Sequence, residues 1–82
     1  MPTIADSFRA IVTEQFGVPG SQITNETSFV DDLGAESLDM VELTMRCEEV
    51  YGIQISDDEA EKIETFGSGL QLLETKDAEV RG

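Results

Sequence analysis

The sequence predicts an all-α fold: a small antiparallel bundle of three main helices plus one short helix, with a long loop between helices I and II. Apolar residues recur at helical spacing in separate stretches. Thr, Ser and Gly stand where helices start and stop. No run of alternating apolar and polar residues marks a strand, and no repeat or low-complexity segment interrupts the pattern. A chain of 82 residues has room for one core. We place that folded unit at residues 1–75 and a flexible tail at 76–82.

Helix I is expected over residues 4–16, where Ile4, Phe8, Ile11, Val12 and Phe16 share one face; Thr3 caps it and Gly17 stops it. Residues 17–36 contain Gly17, Pro19, Gly20, Asn25 and Gly34, which break any periodicity and predict an extended loop. Val18, Ile23, Phe29, Val30 and Leu33 are too many apolar residues for an idle linker. A loop of that length is functional or packed by its own side chains, and both are expected here.

Helix II is expected from Ser37 to about Tyr51, ended by Gly52. In "ISDDEAEKI", Ser56 and Glu59 have capping-box spacing, with Asp57 and Asp58 in the first turn, which predicts a short helix III ending near Ile63. Thr65 caps a last helix with Phe66, Leu70 and Leu73 on one face. Gly67 and Gly69 each cost a helix roughly 1 kcal/mol relative to alanine, so this helix is expected to fray. The closing "ETKDAEVRG" reads as solvated and loose.

Eighteen acids against five bases give a net charge of −13. Such a surface repels phosphate backbones and anionic membranes, so neither nucleic acid nor membrane is an expected partner; proteins with basic patches are drawn to it. No window approaches the ~20 apolar residues of a membrane span. "MPTIADSFRAIVTEQF" has neither a basic start nor an unbroken apolar run, so a cytoplasmic chain is expected. The lone Cys47 cannot form an internal disulfide.

There is no histidine, which removes the commonest general base and the commonest metal ligand. A Ser-His-Asp triad cannot be assembled, and "GAESL" lacks the G-x-S-x-G nucleophile elbow. A zinc site would rest on Cys47 and carboxylates alone, and "DDLGAESLDMVE" lacks the ligand order of a calcium loop, so no metal site is expected. Ser37 is not a hydrolase nucleophile.

At about 100° per residue, Met40, Leu43, Cys47, Val50 and Tyr51 of helix II fall in one arc, sufficient for a core face. Leu38, Val41 and Met45 fall in a second arc, bordered by Glu42 and Glu49 on one edge and Glu48 on the other. Either this second face packs beneath the long loop, or it is a partner-docking strip of apolar anchors ringed by acids. Ser37 stands at the lip of the same helix. It is either an N-cap or a hydroxyl presented for modification, since free N–H groups at a helix start suit a phosphate ester.

The stretch "TNETSFVDDLGAESLDMVELTMRCEEVYGIQISDDEAEKIET" resembles the central part of a bacterial-type acyl carrier protein. The likeness runs from Ile4 to about Leu73. Its key motif, D-S-L preceded by D-L-G-A, reads here "DLGAESLD".

The resemblance implies that Ser37 carries phosphopantetheine, transferred from coenzyme A by a Mg²⁺-dependent phosphopantetheinyl transferase. Acyl groups would ride on that arm as thioesters to partner enzymes of fatty-acid or related polyketide or specialised lipid biosynthesis. The chain, a monomer, would itself catalyse nothing. It implies a docking face for basic partner patches, which we place on Glu36, Leu38, Asp39, Val41, Glu42, Met45, Glu48 and Glu49. The acyl cavity it implies is placed among Phe29, Leu43, Cys47, Ile55 and Ile63.

Glu36 replaces the family's usual aspartate before the serine. Thr44 and Cys47 stand where larger apolar residues are typical, and Arg46 adds a positive charge. With Gly67 and Gly69, these departures weaken the case for housekeeping fatty-acid synthesis and leave a specialised polyketide, lipid or natural-product pathway open. The rival reading is an unmodified acidic interaction module or nucleic-acid mimic.

Overall fold

Thr3 opens the first helix with its hydroxyl, which accepts the Asp6 N–H at 3.1 Å, while the Asp6 carboxylate accepts the Thr3 N–H in return. The computed structural model describes residues 3–81. It contains α1 (Ile4–Phe16), α2 (Ser37–Tyr51), α3 (Asp57–Glu61) and α4 (Phe66–Arg81), with a 3₁₀ turn at Gly20–Gln22 inside the long loop. The expected bundle and loop are both present. Among the described residues no helix is long and apolar enough to cross a membrane.

α1 packs against both α2 and α4. Phe8 and Phe66 stack with ring centroids 4.9 Å apart, and Phe29 of the loop tilts against Phe8 and Phe16 at 6.3 and 6.1 Å. Val12, Leu43, Cys47 and Leu73 complete the buried centre.

The long loop is part of this core, with Ile23, Phe29 and Ala35 buried. Arg9 holds it: the guanidinium donates to the carbonyls of Gly20 and Ile23 and lies over the Phe66 ring. Phe29 N–H donates to Glu64 O at 3.1 Å and Phe66 N–H to Thr27 O at 2.9 Å, pairing Ser28 with Thr65 in one antiparallel bridge. A bridge of one residue pair is too short to leave an alternating pattern in sequence.

The last helix differs from expectation. It continues to Arg81, through the segment expected to be loose. The Thr65 hydroxyl accepts the Ser68 N–H at 3.1 Å and Ser68 Oγ accepts the Thr65 N–H at 3.0 Å, so its start is firmly capped. The two glycines are places of close approach. A Cβ on Gly67 would lie 2.8 Å from the Asn25 carbonyl oxygen, and one on Gly69 would lie 3.0 Å from Ile63 and 3.1 Å from the Phe8 ring. Packing offsets their poor helix propensity. Further along, Lys76 pairs with Glu59 of α3 at 2.7 Å.

Two further expectations are corrected. α3 ends at Glu61, because the N–H groups of Lys62 and Ile63 bond three residues back, to Glu59 and Ala60, and tighten the turn. Val50, expected on the core face of α2, is 56% exposed. The Tyr51 hydroxyl meets Ser7 of α1 at 2.5 Å, which draws Tyr51 inward and leaves its neighbour facing water.

Candidate functional site

Gly34 adopts φ 66°, a left-handed turn that an L side chain rarely takes, and Ala35 N–H then closes back on Phe29 O at 2.8 Å. This turn delivers Glu36, extended at φ −98° and ψ 171°, as the residue that caps α2. Glu36 N–H donates to the Asp39 carboxylate at 2.9 Å, and Gln15 of α1 reaches across to the Asp39 carbonyl at 2.7 Å.

Ser37 is therefore the first residue inside the helix, not its cap. Its side chain is exposed and, among the described residues, its hydroxyl has no hydrogen-bond partner. Beside it are the free N–H groups and partial positive charge of a helix start. A phosphate ester formed on this oxygen would meet donors and displace no existing contact.

A groove of about 860 Å³ opens next to Ser37, between α2 and α3. α2 contributes Ser37, Met40, Val41, Thr44, Met45 and Glu48; Asp57, Ala60 and Glu61 come from α3; Ser28, Val30, Asp31, Ile55, Ile63 and Glu64 complete the lining. The Thr44 hydroxyl donates to Met40 O at 2.8 Å.

Of the five residues expected around an acyl cavity, Ile55 and Ile63 line this groove. Phe29, Leu43 and Cys47 do not: all three are at most 2% exposed, packed in the core behind it. Burial pushes the Cys47 thiol up to about 12, against a smaller downward pull from Arg46, so it is held as an unreactive thiol. The helical arc placed Leu43 and Cys47 inward correctly but could not say where the packing leaves space. Met40 and Ala60 at the groove wall carried no separate sequence signal.

On the outer face, Leu38, Val41 and Met45 are 66%, 54% and 53% exposed, which excludes their packing beneath the loop. Val30, read in the sequence among the apolar residues that pack the loop, is instead exposed and extends this apolar surface, lining the groove with Val41 and Met45. Glu36, Glu42 and Glu49 are exposed around it. Asp39 and Glu48, expected as members of the same rim, are half-buried and engaged: Asp39 accepts the Glu36 N–H, and Glu48 Oε2 accepts the Ile55 N–H at 2.9 Å. Arg46 pairs with Glu14 of α1 at 3.3 Å. Among the described residues no group of His, Cys, Asp and Glu is arranged to hold a metal ion.

The family model described as "Phosphopantetheine attachment site" matches residues 6–73. Among solved structures, the acyl carrier protein from Enterococcus faecalis is 30% identical, with a TM-score of 0.79; the match covers 89% of this chain and 92% of that one.

Proposed function

The chain belongs to the phosphopantetheine-attachment family of acyl carrier proteins, and on that premise we propose that Ser37 is its attachment site and that it delivers acyl intermediates to partner enzymes. The observation that carries this reading is the exposed, unpartnered Ser37 hydroxyl, at the start of α2 and on the edge of the groove. The attached group supplies a thiol on a flexible arm, at which acyl chains are held as thioesters.

The residues around Ser37 divide the remaining work. The N–H groups of the first turn stabilise the phosphodiester. Met40, Val41, Met45, Ala60, Ile55 and Ile63 provide an apolar seat for the chain. Leu38, Val41 and Met45, with Val30, form the contact face for partner enzymes. Glu36, Glu42 and Glu49 draw basic partners to it. The reaction chemistry belongs to those partners, and the working environment is the cytoplasm. Thr44 within the seat and Arg46 on α2 support a specialised lipid or polyketide pathway over housekeeping fatty-acid synthesis.

Incubation with coenzyme A, Mg²⁺ and a broad-specificity phosphopantetheinyl transferase tests the assignment. Intact mass should rise by one phosphopantetheine. An unchanged mass in the folded protein would defeat it.

A further inference from the structure

The groove has two chemically different ends. Its α2 wall begins at Ser37, continues through Met40, Val41, Thr44 and Met45, and finishes at Glu48. Eleven residues of helix rise span roughly 16 Å. At the Ser37 end, Phe29 N–H bonded to Glu64 O fixes the loop against the segment after α3. In the middle the wall is apolar, and the one hydroxyl there, Thr44, already gives its proton to Met40 O. At the far end the Glu48 carboxylate is fastened by the Ile55 N–H, and both residues face the groove. Asp57, Glu61 and Glu64 keep the α3 side negative as well.

We propose that Glu48, pinned by Ile55, is the end wall of the acyl seat and makes the protein selective for neutral chains of limited length. The inference rests on the carrier reading above and specifies its cargo. A hydrocarbon that stops at Met45 and Thr44 meets apolar wall. One that reaches Glu48 must press on a carboxylate and disturb a satisfied backbone donor, which is unfavourable. A chain ending in its own carboxylate meets like charge along the groove.

The test loads Ser37 from a series of acyl-coenzyme A thioesters, butyryl to dodecanoyl, together with adipoyl, using a broad-specificity transferase. Intact mass verifies loading, and each loaded protein is compared with its own unloaded melting temperature. In the parent, the gain should climb with chain length and then level off at a medium chain, with adipoyl well below hexanoyl.

Glu48→Gln keeps an acceptor for the Ile55 N–H and should at least halve the gap between adipoyl and hexanoyl. Glu49→Gln removes an equal charge away from the groove and should leave that gap intact. Glu48→Met should move the plateau to chains longer by about one helical turn, roughly 5 Å. Identical plateaus and identical gaps in all loaded proteins would overturn the proposal, as would an equal effect of Glu49→Gln. If Glu48→Met does not fold, the adipoyl gap in Glu48→Gln decides alone. Failure to load any chain onto Ser37 is a separate result, visible in the masses, that removes the carrier reading and this inference with it.

Discussion

The Glu48 carboxylate accepts the backbone N–H of Ile55 at 2.9 Å, tying the last turn of α2 to the segment that leads into α3. Ile55 is buried, so its N–H has little access to water as an alternative partner. Glu48→Lys replaces the acceptor with a group that has only donors, and should destabilise the protein by about 1–3 kcal/mol. Glu42, exposed on the same helix, makes no such bond, and Glu42→Lys should leave stability within about 0.5 kcal/mol of the parent. Urea unfolding of the two variants distinguishes them; equal stability would show that the Glu48 contact carries no weight.

Gly67 tests packing against propensity. Alanine is the better helix former by roughly 1 kcal/mol, so an unconstrained Gly67→Ala would stabilise α4. With the Asn25 carbonyl 2.8 Å from the new Cβ, it should instead destabilise by about 1–3 kcal/mol. A higher melting temperature for Gly67→Ala would contradict the close approach.

The Glu59–Lys76 pair gives the pH dependence a defined sign. The ammonium of Lys76, and then the Ser56 N–H, hold the Glu59 carboxyl down to about 2, from an ordinary value of 4.5. A depressed carboxyl favours folding when ionised. Its contribution is complete above about 4.5 and is lost as the pH falls towards about 2. Lys76→Met should therefore lower stability relative to the parent by a constant amount at neutral pH. The difference should shrink across that acid window. A difference that persists unchanged below it would mean that the pair is not its source.

Docking should separate into rate and lifetime. Glu42→Lys should slow association with a phosphopantetheinyl transferase and flatten its salt dependence, because exposed charges act on encounter. Met45→Ala should speed dissociation and leave the salt dependence alone. Surface-bound transferase, probed at three salt concentrations, measures both. If neither rate changes, the exposed strip is not where the transferase binds.

What the sequence made legible was what is decided locally. Thr3 and Gly17 bound α1 as read, because each acts within a turn of its own position. Phe29 and Ile23 announced a loop packed by its own side chains. α2 starts at Ser37 as read, but that Glu36 and not Ser37 caps it depends on how Gly34 turns the loop, which no helical wheel contains. Gly67 and Gly69 read as weaknesses because the partners that crowd them, Asn25 and Phe8, lie far off in the chain. For the same reason Glu48 read as a rim charge and Cys47 as cavity wall: direction along an arc is local, but the space between α2 and α3 is not.

The most direct test maps the modification to an atom. After treatment with coenzyme A and transferase, the peptide spanning residues 10–46 should be fragmented in the mass spectrometer, since it holds other hydroxyls besides Ser37. The account expects the whole adduct on Ser37. It also expects none in Ser37→Ala, a protein that should remain folded because Glu36, not Ser37, caps α2. An adduct on another residue, or one that survives in folded Ser37→Ala, would contradict it.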